Sequence, residues 1–212
     1  MDMTETATAL RASGLIAIVR GDYGVARTIE IAEALVGCGI NTVEITLNTT
    51  GALEAIGRLR DTLAPDAWIG AGTVRTPRQV QAAIDAGAQF LISPNFDPES
   101  VALSQRAGIL HLPGVFTPSE AQAAFAAGCN LVKLFPADLL GPAYLKALRA
   151  PLDDVGFVPT GGIDAETIGA YVQAGAVAFG IGSALVRGTD QTVADLRARA
   201  ARLIEALQQA RW

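Results

Sequence analysis

Four times along this chain an alanine-rich stretch closes with glycine after alanine, and an apolar run follows: Ala86-Gly87-Ala88, Ala107-Gly108-Ile109, Ala127-Gly128-Cys129 and Ala174-Gly175-Ala176. Glycine there takes the left-handed conformation that closes a helix. The opposite ends are marked as well. Pro77, Pro98 and Pro118 suit first helical positions, Thr76 and Thr117 suit N-caps, and Thr117 with Glu120 has capping-box spacing. This punctuation describes a strand–helix unit repeated with short connections.

The apolar runs predict strands over 14–19, 42–46, 68–71, 90–93, 109–112, 131–135, 157–159 and 176–181. Helices are predicted over 24–36, 52–63, 77–86, 98–107, 118–127, 142–150, 165–174 and 191–209. Eight such units imply right-handed crossovers and a single α/β domain over 1–212, a closed (β/α)8 TIM barrel. An open doubly wound sheet is the competing architecture, but no dinucleotide glycine fingerprint follows the first strand.

The chain has 212 residues, half of them hydrophobic and 17% charged, which allows one sizeable core and argues against disorder. The net charge of -5 and the lack of a basic run weigh against nucleic acid or an anionic membrane as partner. Cys38 and Cys129 lack metal or redox spacing and read as buried free thiols. The start Met1-Asp2-Met3-Thr4-Glu5 is acidic where a signal peptide is basic, and no apolar stretch is long enough to span a bilayer. A cytoplasmic protein is the expectation. Trp68 and Trp212 read as structural, Asp164 as a helix N-cap, and the single histidine, His111, as a packed or capping residue.

Two strands carry one lone charge each. Lys133 lies between Val132 and Leu134, and Glu44 between Val43 and Ile45. Burial lowers a lysine pKa, and a neutral amine attacks carbonyl carbons to form Schiff bases. In a barrel, separate strands converge on one axis, so the two charges can share an interior. They read equally as a structural ion pair.

Barrel active sites lie at the C-terminal strand ends, and the unusual residues collect there: Arg20, Asn48, Thr73, Ser93, Pro94 and Phe135. Strand seven is followed by Pro159-Thr160-Gly161-Gly162-Ile163-Asp164, and strand eight by Gly180-Ile181-Gly182-Ser183. Glycine-rich loops at those two positions bind phosphate in many barrels, through backbone N–H groups.

Taken in order, the segments Ile16-Ala17-Ile18-Val19-Arg20-Gly21, Val43-Glu44-Ile45-Thr46-Leu47-Asn48-Thr49, Ile69-Gly70-Ala71-Gly72-Thr73-Val74, Ile92-Ser93-Pro94-Asn95, Leu112-Pro113-Gly114, Val132-Lys133-Leu134-Phe135-Pro136-Ala137 and Pro159-Thr160-Gly161-Gly162-Ile163 resemble the class I aldolases that cleave 2-keto-3-deoxy-6-phosphogluconate (KDPG), its galactonate epimer and 4-hydroxy-2-oxoglutarate. The resemblance implies that Lys133 forms an imine with the C2 ketone and that Glu44 moves protons through a bound water. It implies that Arg20 and Thr73 bind the pyruvyl carboxylate and that Phe135 packs against the pyruvyl part. Asn48 and Pro94 are implied substrate contacts, and Thr160, Gly161, Gly162, Gly182 and Ser183 a phosphate site. The implied products from KDPG are pyruvate and D-glyceraldehyde 3-phosphate, with no metal or cofactor, and the implied assembly is a homotrimer acting on a small phosphorylated keto acid. Asn48 stands where the best-known KDPG enzymes carry Arg, and with Pro94-Asn95 it is similar to the galactonate type. Pro159-Thr160-Gly161-Gly162 is similar to the gluconate type.

Two other readings remain at this stage. One is a different phosphate-binding barrel, an isomerase or a thiamine-phosphate-synthase-like transferase. The other is a non-catalytic sugar-phosphate binder with Glu44 and Lys133 as a structural pair.

Overall fold

Neighbouring residues of each strand meet different surroundings. In the computed structural model, which describes residues 3–211, strand β1 (Leu15–Val19) sends Leu15, Ala17 and Val19 into the layer between sheet and helices. Its Ile16 joins an inner cluster with Phe90, Ile92, Leu110, Leu112, Leu131 and Val158. This is the period-two alternation of a strand covered on both faces, and it explains why β1 and β2 (Thr42–Thr46) are buried along their whole length.

All strand pairings are parallel. One sheet piece runs in the order β5-β4-β3-β2-β1-β9, with β3 (Trp68–Gly72), β4 (Phe90–Ile92), β5 (Leu110–Leu112) and β9 (Phe179–Ile181). A second piece runs β6 (Gly114–Val115), β7 (Leu131–Leu134), β8 (Gly156–Pro159). The pieces meet where the chain passes from β5 through Pro113 into β6, and at a parallel bridge between Thr160 and Gly180. The architecture is an α/β fold built on a curled parallel sheet.

Against the expected closed eight-stranded barrel, the sheet is thus divided in two. Strand five breaks at Pro113, which has no N–H for the ladder; its carbonyl accepts instead from the Lys133 N–H at 2.9 Å. The last strand starts at Phe179 rather than 176, after a single bond from the Val177 N–H to the Phe157 carbonyl.

Helices α2 (Gly24–Val36) and α3 (Ala52–Leu63) have the expected bounds. The glycines of the four alanine–glycine phrases have φ from 70° to 94°. Thr76 and Thr117 cap α4 (Pro77–Asp85) and α6 (Pro118–Ala126), the latter with a complete capping box. Helix α5 (Pro98–Arg106) is capped by Asp97, and α7 spans Gly141–Arg149. Asp164 does cap, but it caps the turn ahead of α8 (Ile168–Gln173): its Oδ1 accepts from the Thr167 and Glu166 N–H groups. Helix α9 covers Val193–Arg211.

Helix α1 (Met3–Ser13) was not expected from the sequence. Its Leu10 enters the inner cluster, with Met3 and Ala7 packed against it, so α1 covers the inner core at the end away from the strand C-termini. Cys129 is buried, but Cys38 is only half-buried, a departure from the expected pair of buried thiols. Trp68 packs partly exposed on the inner cluster, and Trp212 lies outside the described residues. Among the described residues no helix is long and apolar enough to cross a membrane.

Candidate active site

Strand parity brings the two lone charges inside. Lys133 shares its face of β7 with Leu131 of the inner cluster, and Glu44 stands in register with Ile18 on one side and Gly70 on the other. Glu44 is 1% exposed and Lys133 4%. No salt bridge joins them among the described residues. They interact at longer range. Burial pushes the Lys133 amine below its ordinary value, with the Glu44 charge opposing and Arg20 adding to the shift. Burial likewise pushes the Glu44 carboxyl up, against the pull of Lys133 and Arg20. Each group is held closer to its neutral form than it would be in water.

The Lys133 Nζ stands 4.8 Å from the centroid of the Phe135 ring. Glu44 Oε2 is buried with no hydrogen-bond partner. A buried acceptor left open in this way is costly to the fold and is what a proton carrier or ligand contact requires. Room for the carboxylate comes from Gly72, since a Cβ there would overlap Glu44 Oε1. The side chain therefore leans along β2 toward the strand C-termini.

At those ends Arg20, Phe135, Thr160, Gly161, Gly162, Gly182 and Ser183 line one cavity of about 200 Å³. Seven of the residues singled out in the sequence thus come together, with Ile18, Ile163 and Gly180 completing the wall. Gly161 and Gly162 have φ of 100° and 67°, a left-handed pair that turns the backbone at the cavity. A wider groove of about 590 Å³ shares Gly162, Ile163 and Ser183 and adds Arg187, Arg199 and Arg202.

Asn48, Thr73 and Pro94 do not line the small cavity, and neither do the buried Lys133 and Glu44. Asn48 is exposed in the turn after β2, and Pro94 is half-buried after β4. Thr73, after β3, has φ of 58°, the only left-handed non-glycine residue among those described. For a β-branched side chain that conformation costs on the order of 1–3 kcal/mol, and such strain concentrates at functional positions. The end of β1 is fixed by two threonines of the next turn. Thr46 and Thr49 Oγ1 lie 3.0 Å apart, both bond the Val19 carbonyl, and Thr49 Oγ1 accepts from the Gly21 N–H. Arg20 is held between those anchors.

Ile18 and Gly72 were missed as site residues in the sequence because small or apolar residues carry no chemical signal of their own. His111 reads from the sequence as a packed or capping residue. It is 4% exposed and hydrogen-bonded through both ring nitrogens, Nε2 to Ser93 Oγ at 2.6 Å and Nδ1 to Ser104 Oγ at 3.2 Å.

Comparison with known proteins now adds to this geometry. The model of the KDPG and KHG aldolase family matches residues 7–198. The chain is 38% identical over 191 residues to the probable 2-dehydro-3-deoxy-6-phosphogalactonate aldolase of Rhizobium meliloti (strain 1021), covering 88% of this chain and 87% of that one. It is 43% identical over 145 residues to the 2-dehydro-3-deoxy-phosphogluconate aldolase of Treponema pallidum (strain Nichols), covering 68% and 69%. The crystal structure of the KDPG aldolase from Legionella pneumophila, with pyruvate captured as a covalent carbinolamine, superposes with a TM-score of 0.81 at 32% identity, covering 94% of this chain and 95% of that one. With a family model spanning most of its length and a relative 38% identical over 88% of it, this chain belongs to the KDPG and KHG aldolase family and is a carbon–carbon lyase.

Proposed function

We propose that the protein is a class I aldolase that cleaves 2-keto-3-deoxy-6-phosphogluconate through an imine on Lys133. The observation that carries this reading is a buried amine with no salt-bridge partner among the described residues, lowered in pKa and set over the ring of Phe135, which lines the cavity. The Lys133 nitrogen adds to the C2 ketone and water leaves, giving a protonated imine. Glu44 removes the proton of the C4 hydroxyl as the C3–C4 bond breaks. The bonding pair passes into the imine as an enamine, and D-glyceraldehyde 3-phosphate departs. Glu44 returns the proton to C3, and water releases pyruvate from the lysine.

Arg20, with its planar fork of donors, and Thr73 bind the carboxylate in this proposal. Thr160, Gly161, Gly162, Gly182 and Ser183 hold the phosphate, and Asn48 and Pro94 border the substrate. No metal or cofactor is required, since the imine is the electron sink. The two sheet pieces act as one (β/α)8 barrel closed through Pro113 and the Thr160–Gly180 bridge. We also expect a cytoplasmic homotrimer, and Leu139 and Leu140, 69% and 48% exposed, are candidates for subunit contact.

A second substrate reading, the C4 epimer 2-keto-3-deoxy-6-phosphogalactonate, is favoured by Asn48 and by the galactonate relative's fuller match. 4-Hydroxy-2-oxoglutarate would use the same chemistry. The imine is tested by borohydride reduction with pyruvate followed by peptide mass spectrometry. A pyruvate adduct on Lys133 is expected, and a folded protein that gives none loses the mechanism. Assays of both C4 epimers side by side then assign the substrate.

Gly72→Ala provides a geometric check. The added methyl displaces the Glu44 carboxylate, and a misplacement of about 1 Å costs on the order of 10²-fold in rate. The expected result is a fall of that size in kcat with the borohydride adduct retained. Unchanged kcat would mean that Glu44 does not act from its present position.

A further inference from the structure

We propose that His111 is a positioning residue: as its Nε2–H tautomer it orders a one-way hydrogen-bond chain from Ser104 through Ser93 to the Val74 carbonyl, and so holds the left-handed Thr73 turn in which the substrate carboxylate is bound. The proposal rests on the carboxylate role assigned to Thr73 above.

The geometry begins at Val74, the residue after Thr73. Both of its backbone groups are clamped by the end of β4. Its N–H donates to the Ile92 carbonyl at 3.2 Å, and its carbonyl accepts from Ser93 Oγ. Ser93 is itself fixed, its N–H donating to the Leu112 carbonyl at 3.0 Å. A strained residue persists only where its surroundings over-determine it, and this clamp sits directly beside Thr73, the one non-glycine residue with a left-handed backbone among those described.

Proton counting selects the tautomer. Ser93 has one hydroxyl proton and two acceptors within reach, the Val74 carbonyl and His111 Nε2. If Nε2 carries the proton, it donates to Ser93, Ser93 donates to Val74, and Ser104 Oγ donates to Nδ1; every group in the chain is paired. If Nδ1 carries the proton, Ser93 must choose between its two acceptors, and giving its proton to Nε2 leaves the Val74 carbonyl with no other donor among the described residues. The acceptors that would reward an Nδ1–H are the Ser104 hydroxyl and the Ser100 carbonyl; that carbonyl, like Val101's, which Ser104 also reaches at 2.8 Å, lies within α5, where ladder bonds already use it.

Ser93, Ser104 and His111 are 3%, 0% and 4% exposed, so water does not compete. Burial also pushes His111 down to about 4, against the Ser100 carbonyl and the Asp97 charge, which keeps the ring neutral at working pH.

The chain has one histidine, so its ring nitrogens can be read without assignment by ¹⁵N NMR. The expected spectrum shows a protonated Nε2 and a bare Nδ1, unchanged between about pH 5.5 and 8. A protonated Nδ1, or a titration inside that range, overturns the wiring. The functional arm compares His111→Gln, whose amide donates to Ser93 and accepts from Ser104, with His111→Met, which fills the volume and does neither. His111→Met is expected to raise KM for the keto acid about tenfold with kcat held within about twofold, and His111→Gln to restore KM. A purely structural histidine would move both variants together in KM, and that result ends the proposal. Ser93→Ala covers the case in which His111→Met fails to fold: it should reproduce the KM rise and shift the Thr73 and Val74 amide signals, and silence in both overturns the clamp. If the wild type turns over neither C4 epimer nor 4-hydroxy-2-oxoglutarate, the substrate reading is what fails, and the tautomer and the Ser93→Ala amide shifts then decide the wiring alone.

Discussion

Lys133→Met is expected to lose turnover by roughly 10⁴-fold or more, because it removes the atom that forms the imine and the remaining binding groups cannot replace it. The fold is expected to survive. The ladder at this residue uses backbone only: the Lys133 N–H donates to the Pro113 carbonyl, and its register partners are Gly114 and Val158. Methionine fills a similar volume without a charge to desolvate. Glu44 then loses an attractive neighbour, so its carboxyl is driven further up. A raised acid contributes stability below its unfolded value and loses it as pH rises through the folded one. Thermal unfolding of Lys133→Met is therefore expected to weaken from acid toward neutral pH more than that of the double variant Lys133→Met/Glu44→Gln. Lys133→Arg keeps a cation and should be equally inactive, which separates the nucleophile from the charge. Retained cleavage by Lys133→Met would end the imine mechanism.

Much of this site was legible because a strand has period two. A lone charge at the centre of an apolar strand buried on both faces has nowhere to go but the interior, and Glu44 and Lys133 are both such residues. Helix ends were legible for a local reason too: Ala-Gly phrases and Thr-Pro starts carry their own backbone preference. What the sequence hid depends on contacts between segments. Helix α1 offers the apolar side chains of Met3, Ala7 and Leu10 to the inner core, too sparse a stripe to stand out before folding. The space that Gly72 leaves for Glu44 exists only once β2 and β3 pair in register. The partners of His111 come from the residue after β4 and from α5, and their meeting is set by the Leu91–His111 register and the packing of α5. The break at Pro113 was foreseeable from its missing N–H, yet the carbonyl that accepts from Lys133 was not.

Glu44→Gln is expected to reduce kcat by about 10²–10⁴-fold, the range for loss of a positioned acid–base group. The imine itself forms at Lys133, so borohydride should still trap pyruvate there. The step that fails is proton movement at carbon, and it can be watched alone: exchange of the pyruvate methyl protons with D₂O, followed by NMR, should slow in proportion to kcat. Exchange at the wild-type rate would remove Glu44 from the proton path. Stability should move the other way. Burial raises the Glu44 carboxyl and its Oε2 has no partner, so the wild type loses stability as pH rises through the folded value, while glutamine does not titrate. The melting temperature of Glu44→Gln relative to wild type is thus expected to climb from acid to neutral pH and then level. Lys133 in this variant loses the charge that holds its pKa up, so its amine becomes neutral at lower pH than in the wild type. Faster attack on the ketone at acidic pH alongside slower proton exchange would show the two groups coupled through the interior, each keeping the other near the protonation state its own step requires.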